Sequence, residues 1–349
     1  MAKKHVDVKM CRENAIIAED VFSDDGVLIV SKNTFLTNYI MDKLNYFNIE
    51  TIVIYEFDNV DNELGGYESH IRSFKEEYDS NVYLVKKVIV DLSKGEELDF
   101  DAIEKISLSL FHEVSYGNSA VRYINRLKVF DDYTYHHCIN VGIYTALIGK
   151  WLGCDDEKMK EFAMAGILHD IGKYRIPVEV LNKRGVLTKE EVELLEKHPV
   201  FGYEMVKDDE NIGTNIKDAI LSHHERKDGS GYPYGLRGNR IGKDARIVAV
   251  ADFYEALTSN RPYRQKVSPF EAIKIFEASG METYDLSVAM TFFKNIVNCY
   301  IGEKVKLSDG RIGEIVYVPP YDLINPIIKI GEEIIDLSRD TDIKIESLV

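Results

Sequence analysis

The pattern of hydrophobic and polar positions changes along the chain, and its first 60 residues are typical of mixed strands and helix. The run VFSDDGVLIVSKNTFLT is strand-like on both sides of the turn signal Asp25-Gly26. A helical pattern follows at residues 36–49, and the run TIVIYEF is typical of a short strand. These patterns predict a small α+β module over residues 1–60.

Apolar residues at helical spacing mark the next segment, which we assign to residues 61–130. Ile103 and Ile106 recur there as neighbours on one helix face. The stretch DNVDNELGGYE, which contains Gly65-Gly66, is predicted to be a linker before these helices. We expect the segment to form a homodimer interface, or alternatively to pack on the domain that follows it.

Residues 131–300 are predicted to be nearly all helix. Two of the helix starts carry capping signals, because Thr188 precedes Glu191 by three residues and Ser268 precedes Glu271 by the same spacing.

The final segment, residues 301–349, has the period of β-strands. GEKVKLSDGRIGEIVYV alternates apolar and polar residues on both sides of Asp309-Gly310, which is a hairpin signature, and PIIKIG and EEIIDLS continue in the same way. The chain is therefore predicted to be mainly α, with a helical domain between a small α+β N-terminal module and a small β C-terminal module.

Charge and composition exclude several classes of function. The chain of 349 residues has 43 basic and 59 acidic residues and a formal charge of −16, which argues against binding of DNA or RNA polymers. No apolar run approaches the roughly 18 residues of a membrane span, and the start lacks the apolar core of a signal peptide. The four cysteines form no CxxC pair, so we expect free thiols in a cytoplasmic protein.

Histidine and aspartate supply the main chemical signal. Five of the nine histidines fall in one series with two aspartates. The members are His137, His169, Asp170, His198, His223, His224 and Asp252. Imidazole and carboxylate without thiolate favour a catalytic iron, manganese or zinc centre over a structural zinc site. The series therefore predicts metal-assisted hydrolysis, with a phosphate ester as the expected substrate.

The first members of the series lie where helices present them inward. His137 lies four residues before Val141 on the apolar face of YTYHHCINVGIYTALIGKWLG, whereas its neighbour His136 points elsewhere and is expected to be solvated. His169 and Asp170 end the helical run EFAMAGILHDIGK, where burying both without partners would be costly. Adjacent helical residues diverge by about 100°, so Asp170 can bridge towards a second ion.

The other members lie at a helix break, at a helix end and inside an apolar run. His198 precedes Pro199, which disfavours helix at the residue before it. His223-His224 precede the loop RKDGSGYPYGLRGN, whose four glycines and one proline suit the rim of a ligand site. Asp252 stands in IVAVADFYEAL, and a buried aspartate needs a partner. Each residue taken alone is also explained by a core or surface position, but seven of them together favour a shared two-metal site.

These residues lie in five stretches that resemble the HD-GYP family, a branch of the HD-domain metal-dependent phosphohydrolases. The stretches are DDYTYHHCINV (131–141), ILHDIGKYRIP (167–177), EKHPVFGYEMV (196–206), HHERKDGSGYP (223–233) and ADFYEALTSNRPYR (251–264). The motifs that name the family are His169-Asp170 and Gly231-Tyr232-Pro233. The resemblance implies an HD-type helical bundle that encloses two or three metal ions and hydrolyses cyclic di-GMP.

The resemblance also implies a role for each candidate. It assigns one ion to His137, His169, Asp170 and Asp252, and the other to Asp170, His198, His223 and His224. Lys173 would act with Asp170 in catalysis and meet the substrate phosphate or leaving oxygen. Tyr232 would line the cleft rim, and Arg261 and Arg264 would lie near the phosphates. The alternatives are that Lys173 favours the C-terminal dipole of its helix and that the arginines are surface charges.

Two positions depart from the family pattern. Tyr133 stands four residues before His137, where members with three metals carry a glutamate, so we expect two divalent ions. Glu255 stands where an aspartate is common and keeps a carboxylate in place. The resemblance implies iron or manganese, and zinc, nickel and magnesium are the other candidate ions.

The resemblance implies a cyclic di-GMP phosphodiesterase. Two ions would share a hydroxide that attacks phosphorus in line, giving linear pGpG, GMP or both, while Lys173 offsets the growing charge. One alternative is a catalytically weak receptor or interaction module, which binds cyclic di-GMP or meets a diguanylate cyclase (GGDEF) partner through the Gly-Tyr-Pro loop. The other is an HD phosphohydrolase of another nucleotide, such as a hybrid cyclic dinucleotide.

Overall fold

The computed structural model describes residues 2–11, 15, 17–23, 26, 28–30, 36, 38–56, 65–115, 119–126, 133–183, 185–260, 265–339 and 342–349. The helices are α1 (Asn38–Tyr46), α2 (Gly65–Ser93), α3 (Phe100–Ser115), α4 (Ser119–Arg126), α5 (Tyr133–Trp151), α6 (Asp156–Leu168), α7 (Val178–Leu181), α8 (Lys189–Leu195), α9 (His198–Val206), α10 (Thr214–Ser222), α11 (Lys243–Thr258), α12 (Pro269–Ser279) and α13 (Leu286–Ile296). The strands are β1 (Ala2–Asp7), β2 (Val21–Phe22), β3 (Leu28–Val30), β4 (Thr51–Glu56), β5 (Lys304–Leu307), β6 (Ile312–Tyr317), β7 (Ile327–Ile330), β8 (Glu333–Asp336) and β9 (Ile345–Leu348). Short 3₁₀ turns cover Val8–Met10, Ile171–Arg175, Gly238–Arg240 and Val297–Tyr300.

The N-terminal module has the predicted α+β character. Strand β1 pairs antiparallel with β4, and β2 pairs antiparallel with β3. Helix α1 covers this small structure, and Leu36, Leu44 and Ile52 are part of its own apolar core. The mainly α fold class with a small module at each end is confirmed, whereas the exact domain boundaries stay a prediction.

The predicted linker was wrong at its two glycines, because Gly65 is the first residue of α2 and Gly66 lies within that helix. A long helix with a buried apolar face overrides the weak helix propensity of glycine. Helix α2 directs Tyr78, Val82 and Val85 into the same core as the helices that follow. One face of α2 therefore packs on the helical domain, and the homodimer interface stays a prediction.

Helix α5 lies at the centre of the helical domain. Its buried residues run without a gap from His137 to Gly149, and a helix that is buried on all sides belongs in the interior. Helices α2, α3, α6, α11 and α13 pack around it. This enclosure places His137, in the second turn of α5, among the ends of neighbouring helices.

Capping chemistry fixes two helix starts in the helical domain. Thr188 and Glu191 form the full predicted capping box at the start of α8. Ser268 accepts a hydrogen bond from the Glu271 N–H at the start of α12, which is half of the predicted box.

The C-terminal strands form one antiparallel sheet in the order β8-β7-β6-β5-β9. The predicted hairpin is confirmed, because β5 and β6 are neighbours joined through Asp309-Gly310. Val305 and Ile315 belong to the same apolar core as the buried residues of the helical domain, so the sheet packs on the helices.

All four cysteines are free, and no described helix is long and apolar enough to cross a membrane.

Candidate metal centre

The structure brings all seven predicted metal ligands together. His137 lies in the second turn of α5, and Asp252 lies on α11. The others flank helix ends: His169 and Asp170 follow α6, His198 begins α9, and His223 and His224 follow α10. The helix break predicted from Pro199 is present, since α8 ends at Leu195 and α9 begins at His198.

The potential ligand atoms form two groups, and within each group they lie within 4.8 Å of one another. One group contains Asp170, His198, His223 and His224, and the other contains His137, His169 and Asp252. Most of these side chains are buried, and His224 and Asp252 are partly exposed. Each group alone offers enough nitrogen and oxygen donors for one divalent ion.

Asp170 lies between the two groups and presents one oxygen to each. Its Oδ2 is 3.3 Å from His137 Nε2 and 3.4 Å from His169 Nε2. Its Oδ1 is 3.3 Å from His198 Nε2 and 3.8 Å from His223 Nε2. A carboxylate in this position can bridge two ions, which is the arrangement expected of a two-metal hydrolase.

Main-chain carbonyls orient three of the imidazoles. Each Nδ1 lies close to the carbonyl oxygen three residues earlier, in the pairs His169 and Gly166 (2.7 Å), His198 and Leu195 (2.8 Å), and His223 and Ile220 (2.9 Å). A carbonyl oxygen can only accept, so each Nδ1 carries the proton and each Nε2 directs its lone pair at the centre.

A carboxylate orients the fourth imidazole. Glu255 Oε2 lies 2.5 Å from His137 Nδ1, and the Tyr133 hydroxyl donates to the same oxygen at 3.0 Å. The Tyr133 ring also stacks on His137 at a centroid distance of 5.6 Å. Tyr133 and Glu255, which the sequence showed only as departures from a family pattern, therefore support the orientation of His137.

Surrounding charges set the protonation of the candidate ligands. Burial alone would raise the pKa of Asp170, but the His169 imidazole and the Lys173 ammonium hold that pKa well below its usual value. Burial, reinforced by neighbouring imidazoles, holds the pKa values of His223 and His224 well below the usual value. An ionised aspartate and neutral imidazoles are the forms that bind a divalent ion.

His137 and Glu255 form a buried ion pair. Burial lowers the pKa of His137, but the Glu255 charge and hydrogen bonds to Asp170 and Glu255 outweigh it and raise that pKa to about 9. Burial raises the pKa of Glu255, and the opposing His137 charge lowers it to about 2. Glu255 therefore keeps its negative charge at neutral pH and stabilises the proton on His137 Nδ1. A metal ion bound at Nε2 would then replace only the Nε2 proton of His137.

The arrangement of acceptors fits a bound cation. Asp170 Oδ1 is buried and has no hydrogen-bond donor among the described residues. The nearby Nε2 atoms of His198 and His223 lie only 3.3 Å apart, although both Nδ1 atoms already carry the protons. Buried lone pairs that face one another without a donor are unfavourable unless a positive charge lies between them.

Lys173 is directed at the same centre. It lies on the 3₁₀ turn after Asp170, its side chain is 28% exposed, and its Nζ is 2.5 Å from Asp170 Oδ2. Its role towards a substrate phosphate stays a prediction. Arg261 and Arg264, the other predicted phosphate contacts, lie outside the described residues.

The Gly-Tyr-Pro loop packs directly against one group of ligands. The Tyr232 ring stacks on His224 with a centroid distance of 4.7 Å, and the Tyr232 N–H donates to the His224 carbonyl at 3.2 Å. A Cβ atom on Gly231 would lie 2.4 Å from that carbonyl oxygen and 2.4 Å from the Arg226 nitrogen. Only glycine lets the loop pass this close to the backbone.

Glu225 holds the far side of this loop and was missed by the sequence analysis. Its buried carboxylate accepts hydrogen bonds from the N–H groups of Tyr234 at 2.7 Å and Leu236 at 2.8 Å. The available signal was an acidic residue directly after the His223-His224 pair.

His136 was also misjudged, because it is half-buried and stacks on Tyr78 rather than being solvated.

Comparisons with known proteins identify the domain that contains these residues. Residues 120–288 match the family model described as HD domain. The chain is 34% identical over 264 residues to Cyclic di-GMP phosphodiesterase PA4108 of Pseudomonas aeruginosa, which covers 71% of this chain and 62% of that protein. It is 47% identical over 140 residues to Cyclic di-GMP phosphodiesterase response regulator RpfG of Xanthomonas campestris, which covers 40% of this chain and 37% of that protein.

A solved structure supports the fold. Bd1817, described as a HDG"Y"P protein from Bdellovibrio bacteriovorus, superposes with a TM-score of 0.50 at 17% identity, covering 83% of this chain and 98% of that one. The chain covers less than two thirds of the length of either curated relative. The HD-domain match and the sequence similarity agree with the motifs His169-Asp170 and Gly231-Tyr232-Pro233 at the metal centre. The chain therefore belongs to the HD-GYP family of HD-domain proteins.

Proposed function

We propose that the chain is a metal-dependent phosphodiesterase that hydrolyses cyclic di-GMP to linear pGpG, GMP or both. The observation that carries the proposal is the position of Asp170, whose two oxygens face two different pairs of imidazoles. Both curated relatives described above are named cyclic di-GMP phosphodiesterases. Seven convergent ligands favour an enzyme over a receptor, because a receptor does not need a complete metal site.

In this proposal His137, His169, Asp170 and Asp252 hold one ion, and Asp170, His198, His223 and His224 hold the other. When bound, the ions supply a hydroxide nucleophile near neutral pH and offset charge on the phosphoryl oxygens. We propose iron or manganese as the native metal, with zinc, nickel and magnesium as the ions against which to test them.

The protein groups near the exposed side of the centre would position the substrate. The Asp252 side chain is 15% exposed, so this side of the centre reaches solvent. Lys173 places a positive charge next to Asp170, where it would hold a phosphate oxygen and stabilise the leaving oxygen. Tyr232 lies over His224, where its ring would bound the cleft. Arg261 and Arg264 would add positive charge near the phosphates of the substrate.

The test is hydrolysis by the purified chain. We expect anaerobically prepared protein loaded with Fe(II) or Mn(II) to contain about two ions per chain and to convert cyclic di-GMP, followed by chromatography. If the chain binds cyclic di-GMP but hydrolyses none of it with iron, manganese, zinc, nickel or magnesium, the receptor alternative is favoured. Faster hydrolysis of a hybrid cyclic dinucleotide in parallel assays would shift the proposed substrate to that molecule.

Replacing Glu225 tests the role of the loop. In Glu225→Gln the amide nitrogen would face one of the two N–H donors, so one hydrogen bond is lost at a cost of about 1–3 kcal/mol. We expect the loop to loosen and KM for cyclic di-GMP to rise about 10-fold, while the metal content stays at the wild-type value. The control is Glu282→Gln, an exposed carboxylate near the same loop. Equal KM values for the two variants would contradict the assignment.

We also propose a cytoplasmic homodimer that meets a diguanylate cyclase (GGDEF) partner through the Gly-Tyr-Pro loop. Tyr83 and Val90 support the homodimer, because they lie seven residues apart on one face of α2 and are 67% and 36% exposed. Light scattering of the purified chain, with and without a Tyr83→Glu substitution, tests the oligomeric state.

A further inference from the structure

A row of buried hydrogen bonds connects α2 with the His137 side of the centre. The Tyr78 hydroxyl lies 2.8 Å from Asn140 Oδ1, and Asn140 Nδ2 lies 3.1 Å from Glu255 Oε1. The other oxygen of Glu255 lies 2.5 Å from His137 Nδ1. All four side chains are buried, so water does not compete for these bonds.

Chemistry fixes the direction of every bond in the row. An ionised Glu255 can only accept, so Asn140 must present its NH₂ group to it. Asn140 Oδ1 then faces Tyr78, whose hydroxyl must donate to it and can accept from His136 Nδ1 at 3.1 Å. A flipped Asn140 would place its carbonyl oxygen against the carboxylate. Glu255 therefore sets the orientation of the Asn140 amide, and the Tyr78 hydroxyl donates to the amide oxygen and holds Asn140 in place from the other side.

We propose that Tyr78 and Asn140 are positioning residues of the metal centre. They hold Glu255 where it accepts a hydrogen bond from the His137 Nδ1–H group, and this keeps His137 Nε2 directed at Asp170 and Asp252, at 3.3 and 3.4 Å. The inference rests on the proposed function, since it requires an ion at that group of ligands. Helix α2 lies before the residues that match the HD domain, and through Tyr78 it would help to position the metal ligands.

Tyr78 also has a packing role, which a substitution must leave intact. Its ring contacts Phe74 at a centroid distance of 6.0 Å and Tyr123 at 5.4 Å. Tyr78→Phe keeps the ring and removes only the hydroxyl. Tyr123→Phe is the matched control, because it removes a hydroxyl from the same aromatic cluster and Tyr123 takes no part in the row.

The primary measurement is metal release to a chelator from protein loaded with Co(II), followed by visible absorption. We expect Tyr78→Phe to release the ion bound by His137 about 10-fold faster than wild type and to change the Co(II) spectrum. Tyr123→Phe is expected to match wild type in both measurements. Thermal unfolding of both metal-free variants checks that neither substitution disrupts the packing.

A double-mutant cycle separates action through Glu255 from an independent effect. If Tyr78 acts through Glu255, adding Tyr78→Phe to Glu255→Gln will not accelerate metal release further. Asn140→Ala should resemble Tyr78→Phe, with a larger effect because it removes the contact to Glu255 itself. If Tyr78→Phe takes up metal as wild type does and releases it at the same rate, this inference is overturned and the proposed function is not. Full additivity of the two substitutions in the cycle would have the same meaning. A wild-type chain that takes up no Co(II), Fe(II) or Mn(II) would overturn both this inference and the proposed function.

Discussion

Asp170→Asn is expected to lower kcat for cyclic di-GMP by about 1,000-fold or more, the scale of losing a preorganised electrostatic group. The substitution keeps the size of the side chain and replaces one ligand oxygen with an NH₂ group. Since Asp170 presents one oxygen to each group of imidazoles, either orientation of the amide deprives one ion of its shared ligand. The loss of negative charge weakens binding of the other ion as well.

Metal content and metal-linked stability measure this effect directly. Wild-type protein should unfold at a higher temperature when Mn(II) is added, because a ligand at 100 times its Kd stabilises the folded state by about 2.7 kcal/mol. Asp170→Asn should show little of this shift and fewer than two ions per chain. Asp208→Asn, at an exposed position after α9, is the control and should behave as wild type. Full metal content and normal turnover in Asp170→Asn would refute the bridging role.

The predicted metal ligands could be found from sequence because each breaks a local pattern. His169 and Asp170 end an apolar helical run, and His198 precedes a proline, which disfavours helix at the residue before it. Polar residues at such places require partners, and imidazole and carboxylate side chains together indicate a metal ion as that partner. What the sequence could not show is that the Asp170 oxygens divide between two groups of imidazoles, since this depends on how the helix ends meet.

The supporting residues leave no such local signal. Tyr78 and Asn140 each fit an ordinary buried helix face, and they are 62 positions apart in the chain. Their contact exists only because α2 packs on α5, and no helical period specifies that packing. The same packing explains why His136 was misjudged, since the side chain that covers it comes from α2. Tertiary contacts of this kind outweigh local propensity.

Gly172→Ala is expected to destabilise the fold by about 3 kcal/mol and to reduce activity, because the added Cβ would meet backbone atoms that cannot move independently. It would lie 2.0 Å from the His198 carbonyl oxygen and 2.3 Å from the Gly202 nitrogen. The 3₁₀ turn Ile171–Arg175 must then separate from α9. Because Asp170 immediately precedes that turn and His198 begins α9, the same movement separates two proposed ligands.

Thermal unfolding and metal analysis together test this coupling of packing to the site. A loss of 3 kcal/mol should lower Tm by about 5–10 °C for a domain of this size, and a ligand displacement near 1 Å should lower kcat by about 100-fold. Gly185→Ala is the matched control, since a Cβ there meets nothing within 4 Å. Gly202→Ala should fall between the two, because its nearest obstacle is a side-chain atom, Ile220 Cγ2 at 2.8 Å, and the nearest backbone atom is the Gly172 nitrogen at 3.2 Å. If Gly172→Ala unfolds with the control and keeps both ions, close packing of this turn on α9 does not hold the two halves of the centre together.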